Sequence, residues 1–281
     1  MSSAQEHFAK VASVYEKGTG GATRRVATHL VQLASPIKAD AKILDNACGT
    51  GVVIDELLAG VSDAAVRNSL MFTVTDAAAP MVECLLSKIG TQWDIPADHV
   101  TALTLAAEDL DGIASDSFDY SFTNFGFLFF KDAEKAAKHI YRTLKPGGRA
   151  FVTSWKDLGY MQAIEKAAVQ VRLHHPPPHL PFDTAWLDSA HIKDVFEQAG
   201  FQSVDVHQQA SSYASESVPA LSRSLVGMME GMLKMQGWSD SEVESLPPEL
   251  ERAIEGLADA LVIEPDAAWI KMMAHVAVCV K

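Results

Sequence analysis

Through the first two-thirds of the chain, short apolar runs alternate with stretches whose apolar positions recur at helical spacing. Lys42-Ile43-Leu44-Asp45 reads as a buried strand, and Val52 to Ala59 follows as a helix with Val53, Leu57 and Leu58 on one face. Leu70 to Thr75, Val100 to Leu105, Phe118 to Thr123 and Arg149 to Ser154 read as four more strands. Pro80 suits the first turn of a helix reaching about Ile89. Asp132 suits the cap of a helix reaching about Leu144, which Lys145-Pro146-Gly147-Gly148 then stops. Regular alternation of strand and helix predicts a parallel sheet covered on both faces.

The pattern changes after the fifth strand. Leu158 to about Leu173 reads as helix and runs into His174-His175-Pro176-Pro177-Pro178-His179, an extended loop. Ser189 to Ala199 is a helix closed by Gly200, and Phe201 to His207 a strand. Two longer helices are expected at Val218 to Met235 and Ser239 to Leu261, broken at Gly237 and at Pro247-Pro248. Met273 to Val280 is a last strand. The residues ahead of the first strand read as helical. The whole is expected to be one α/β domain over 1–281, with a doubly wound seven-stranded sheet and helical cap insertions. Residues 1–36 form an N-terminal helical lid, 37–157 a binding core, and 158–200 and 208–272 a cap over the substrate.

Composition narrows the function. With 23 basic against 36 acidic residues the net charge is −13, a field that repels phosphate backbones. Arg24-Arg25 is followed by no basic stripe, so no nucleic-acid partner is expected. No apolar stretch approaches the roughly 20 residues of a membrane helix, and Met1 to Lys10 lacks a secretory pattern. Three widely spaced cysteines, Cys48, Cys84 and Cys279, fit a reducing, cytoplasmic setting. A small-molecule substrate and a monomer or homodimer are expected.

The chemistry concentrates where the first strand becomes a helix, at Asp45-Asn46-Ala47-Cys48-Gly49-Thr50-Gly51. Gly49 and Gly51 permit a sharp turn and close approach of a ligand to backbone amides. A dinucleotide site wants a third glycine where Ile54 stands, which argues against NAD or FAD. Asp45 just before the turn would repel phosphate and attract a cation. The implied ligand is a nucleoside without pyrophosphate that carries positive charge, and S-adenosylmethionine meets both conditions. Asp76, ending the second strand, suits bidentate acceptance of two ribose hydroxyls, although it also suits the cap of the next helix.

These residues resemble class I S-adenosylmethionine-dependent methyltransferases. Ile43 to Gly51 resembles that family's first motif, Asp76 its acidic ribose position, and Met81 the apolar residue that packs on adenine. Ala106-Ala107-Glu108-Asp109-Leu110 stands where the family meets the adenine edge. Phe118-Asp119-Tyr120 with Asn124-Phe125 resembles its fourth-strand motif, and Leu144 to Gly148 its turn before the fifth strand. Where many members carry aspartate this chain has Ala106, which shifts the adenine contact to Glu108 or to backbone. The resemblance implies a cofactor site of Asp45, Asn46, Ala47, Cys48, Gly49, Gly51, Asp76, Ala77, Met81, Ala107, Glu108, Asp109, Asn124 and Phe125. A looser likeness of Leu44 to Gly49, Phe125-Gly126-Phe127 and Glu16 to Gly20 to gliotoxin-type thiol methyltransferases implies a natural-product acceptor. It also implies that Tyr15, Thr19 and Arg24 lie in a lid over the cofactor. Gly18-Thr19-Gly20-Gly21 would then order on binding or remain a flexible connector.

No residue stands out as a catalytic base. His174, His175 and His179 follow the fifth strand and are candidates, or merely a solvated loop. Their spacing fits no zinc pattern, and no metal is expected. Trp155 is a pocket wall or core. Cys48 needs only to be small and apolar. The methionine-rich run Leu225 to Met235 is core or an apolar lid.

Overall fold

The computed structural model describes residues 3–281. Eleven helices are described: α1 (Ser3–Val11), α2 (Tyr15–Gly18), α3 (Ala22–Ala34), α4 (Val52–Gly60), α5 (Ala64–Arg67), α6 (Ala79–Leu86), α7 (Ala133–Thr143), α8 (Met161–Val171), α9 (Ser189–Gln198), α10 (Val218–Met235) and α11 (Asp240–Glu255). The strands are β1 (Lys42–Asn46), β2 (Met71–Asp76), β3 (Val100–Thr104), β4 (Phe118–Thr123), β5 (Leu144–Asp157), β6 (Ser203–Ser215), β7 (Leu261–Glu264) and β8 (Ala267–Val280).

Seven strands form one path in the order β3-β2-β1-β4-β5-β8-β6, parallel from β3 through β5. β8 runs antiparallel to both its neighbours. The doubly wound sheet is therefore as expected, and the order in which strands are added changes sense between β1 and β4, which are themselves parallel. Both faces are covered, so the central strands are apolar on each side: Ile43, Leu44, Phe72, Val74, Phe122 and Phe151 are all buried.

Three expectations for the second half are corrected. An eighth strand, β7, pairs off the main path with β8 through a tight turn at Pro265-Asp266. Leu261 therefore opens a strand instead of closing a helix, and residues 208–215 and 261–272 extend the sheet instead of capping it. Second, α11 continues through Pro247 and Pro248. Each proline removes one backbone donor from the helix ladder. The helix persists because Val243, Leu246, Leu250 and Ile254 bury one face against α8 and α10, and Ser222 donates to the Pro247 carbonyl at 2.6 Å. Third, β5 begins at Leu144, so the Lys145-Pro146-Gly147-Gly148 turn is absorbed into the strand as an irregularity in its register with β4.

The glycine-rich loop between α2 and α3 is pinned. Gly20 is left-handed, and its carbonyl accepts from Ala214 N at 3.1 Å, while Tyr213 donates its phenol to the Gly18 carbonyl at 2.7 Å. A Cβ on Gly20 would lie 2.9 Å from the Ala214 backbone. Glycine serves here to let two backbones meet, so the loop is not a flexible connector.

Candidate functional site

A cavity of about 390 Å³ opens at the carboxyl ends of β1, β2, β3 and β4, at the point where the strand order reverses. Such switch points are where open α/β sheets bind ligands, because the loops diverge and leave a crevice. Its floor is the glycine turn. Ala47, Gly49 and Gly51 all adopt left-handed φ within five residues. A Cβ on Gly49 would meet nothing within 4 Å, so that backbone faces open space. Gly51 caps α4 and lies against the Trp93 indole. The turn is tied to β2 by Cys48 N donating to the Thr75 carbonyl at 3.0 Å and Gly49 N donating to Asp76 Oδ2 at 2.9 Å.

Asp45 and Asp76 supply the charge. Asp45 lines the cavity with 1% exposure, and neither of its carboxylate oxygens has a hydrogen-bond partner in the protein. Burial, and then the nearby Asp76 charge, push its pKa from 3.8 up to about 8. Asp76 also lines the cavity. Its carboxylate is oriented by Gly49 N on one oxygen and Ala78 N on the other, each at 2.9 Å. Burial raises its pKa as well, and those two amides partly offset the rise. Lys131 and Lys135 also line the cavity, yet neither Asp45 oxygen has a partner, and a buried carboxylate left in that state favours a ligand that brings positive charge.

The rest of the wall is mostly apolar. Ala77, Ala78 and Met81 line it after β2, Ala107 after β3, and Phe125 and Phe129 after β4. Phe125 is left-handed, its N–H donates to Thr153 Oγ1 at 2.8 Å, and its ring stacks on Trp155 at 4.0 Å. Trp155 itself is buried behind Phe125 and does not line the cavity. Gly126 is needed beside it, since a Cβ there would sit 2.7 Å from that of Ala47. Tyr15 reaches the cavity from α2, its phenol pushed up to about 12 by burial and the Asp76 charge, so it stays protonated and able to donate.

The structure thus gathers Tyr15, Asp45, Ala47, Cys48, Gly49, Asp76, Ala77, Met81, Ala107, Glu108, Asp109, Asn124 and Phe125 around one space. Three expected residues stand outside it. Asn46 is buried between strands with its Oδ1 accepting from Thr75 Oγ1 at 2.8 Å. Gly51 shapes the turn from behind. Thr19 donates to the Glu16 carbonyl at 2.8 Å, at the end of α2. Glu108 lines the space but spends Oε1 on the backbone N–H groups of Lys131 and Asp132. Asn124 bridges Thr23 O and Thr153 Oγ1.

His174, His175 and His179 are exposed and lie off the cavity, and no histidine lines it among the described residues. The methionines of α10 also lie off it, with Met229 and Met232 in the core. Cys48 is buried and its thiol is held far above its usual range, so it is no nucleophile. The lining residues not foreseen include Phe8, Thr23, Phe129 and Lys131. Thr23 lies on the buried face of the amphipathic α3, which is the only trace it leaves in sequence.

Comparison with known proteins agrees. Methyltransferase tpcH of Aspergillus fumigatus is 29% identical over 170 residues, 58% of this chain and 58% of its own length. Acetylaranotin bis-thiomethyltransferase of Aspergillus terreus is 25% identical over 244 residues, 79% of this chain and 78% of that one. Phosphoethanolamine N-methyltransferase 2 of Haemonchus contortus, solved with phosphomonomethylethanolamine and S-adenosylhomocysteine, shares the fold with a TM-score of 0.53 at 19% identity, over 91% of this chain and 52% of that one. The chain therefore spans little more than half the length of the first and third of these. A family match extends over residues 7–168, more than half of the sequence, and the chain belongs to the ubiE/COQ5 methyltransferase family.

Proposed function

We propose that the cavity holds S-adenosylmethionine and that the protein transfers its methyl group to a small, largely apolar metabolite. The observation that carries this is Asp45, a buried carboxylate with two unpartnered oxygens beside a second buried carboxylate at the switch point. A cationic nucleoside without pyrophosphate satisfies both, and the bound donor supplies a methyl group on a sulfonium that is already activated for displacement.

The protein's own work is to bind, orient and exclude water. Asp45 pairs with the positive charge. Asp76, fixed by two backbone amides, keeps lone pairs for the ribose hydroxyls. Met81 and Ala107 offer apolar surface to the base. Tyr15 donates from its neutral phenol. Phe8, Phe125 and Phe129 keep water from the reacting centre, and alignment of this kind is worth several kcal/mol.

The cavity's two buried carboxylates are committed to the donor and no histidine faces it. This supports an acceptor that ionises with little help, and a thiol with its pKa near 8.5 is the clearest case. The thiomethyltransferase relative points the same way. A cytosolic setting belongs to this reading: the three cysteines are free, and no helix among the described residues is long and apolar enough to cross a membrane. Methyl-labelled S-adenosylmethionine offered with thiol, phenol, amine and quinol acceptors is the test. Label is expected on the thiol; transfer only to oxygen, nitrogen or carbon would reject the thiol preference. Donor binding without turnover on any acceptor class would reject methyl transfer itself.

A further inference from the structure

The N-terminal segment closes one side of the cavity with little apolar anchorage of its own. Ala12, Ala78 and Met81 form a small cluster separate from the main core, joined by Phe8, Val11 and Tyr15. Phe8 meets Phe129 edge-on at 5.0 Å. Just beyond α2 the chain is fastened to β6 through Gly18 and Gly20. Any opening of this segment therefore pivots ahead of Gly18.

Glu16 lies on the N-terminal side of that point, next to Tyr15. Its Oε1 reaches Arg24 Nη2 and lies 3.8 Å from Lys88 Nζ. Those two cations already have partners on the body of the fold. Arg24 Nη2 is 2.8 Å from Asp55 and Nη1 is 2.7 Å from Glu56, while Lys88 Nζ is 2.8 Å from Asp55. Trp93 Nε1 donates to Asp55 as well, at 2.6 Å, and its ring packs on Gly51. Arg24 and Lys88 against Asp55 and Glu56 are balanced two for two. Glu16, whose side chain is 41% exposed, is the fifth and removable member.

We infer that Glu16 is a positioning residue: its carboxylate latches the N-terminal segment onto the Arg24–Lys88 pair and thereby holds Tyr15 and Phe8 over the cavity. The latch rests on the reading of the cavity as an S-adenosylmethionine site only in what it retains. An ion pair at a half-exposed position holds the segment shut several-fold and weakens with salt.

The test compares the full chain with Glu16→Gln, and with Lys17→Gln as a neighbouring charge change outside the network. Hydrogen exchange without ligand should quicken about five-fold in residues 5–17 of Glu16→Gln and stay unchanged in residues 42–60. Release of S-adenosylhomocysteine should quicken by a similar factor, with the thermal midpoint kept. Salt should speed release from the wild type and from Lys17→Gln but not from Glu16→Gln. Unchanged exchange in residues 5–17, or faster exchange throughout with a lowered midpoint, would overturn the latch. Should S-adenosylhomocysteine fail to bind the wild type, the donor reading falls, and the exchange experiment still decides the latch.

Discussion

A buried carboxylate with nothing to bind is a cost that a ligand can recover, and Asp45 is such a group. Its pKa is about 8 in the folded protein against 3.8 as the ordinary value, so between those limits the folded state holds a proton that the unfolded chain releases. The sign follows. Stability of the ligand-free protein should fall as pH rises from about 4 to about 8, and Asp45→Asn should flatten that slope and raise the melting temperature at pH 8.5; a slope unchanged in the variant would contradict the assignment. A cation arriving at pH 7 should ionise Asp45 and expel roughly one proton. Titration calorimetry in two buffers of different ionisation enthalpy reads that proton directly, and Asp45→Asn should abolish it.

At the scale of elements, the glycine turn and α4 act as one unit. Gly51 is left-handed at φ 88°, and an added Cβ would lie 2.9 Å from the Trp93 ring. Gly51→Ala should cost about 2 kcal/mol or more in urea unfolding, through backbone strain and the displaced indole. Ser239 caps α11 in a reciprocal pair with Glu242, and Ser239→Ala should cost about 1 kcal/mol without changing ligand affinity. Elements of this kind were legible in sequence because their rules are local: a strand must end, a backbone must turn, and Asp76 must follow a strand to meet that turn. Phe8 and Thr23 were not legible as lining residues. Helical spacing tells that α3 buries a face, but the partner of that face is set by tertiary packing. The β7–β8 hairpin is hidden in the sequence because Leu261 to Ile263 continue the apolar pattern of the helix before them. Glu264-Pro265-Asp266-Ala267 was the turn signal that could have separated them.

For the whole molecule, the length beyond a minimal doubly wound sheet has three destinations. Part becomes an N-terminal segment over the cavity. Part lengthens the sheet through β6, β7 and β8. The remainder is the layer of α8, α10 and α11, whose buried residues, among them Leu221, Leu225, Leu250 and Ile254, belong to the main core. Cap and sheet are thus more continuous than the alternation of apolar runs implied. The net charge of −13 adds a further expectation: weak association with polyanions, with no retention on an immobilised nucleic acid at moderate salt.

Binding of S-adenosylmethionine in this cavity through its two carboxylates is tested most directly by titrating S-adenosylhomocysteine into the wild type and Asp76→Ala. The wild type should bind one equivalent, and the variant should lose about 100-fold or more in affinity, as expected when two hydrogen bonds to a carboxylate are removed. Equal affinity in the two proteins, or no binding to either, would contradict it.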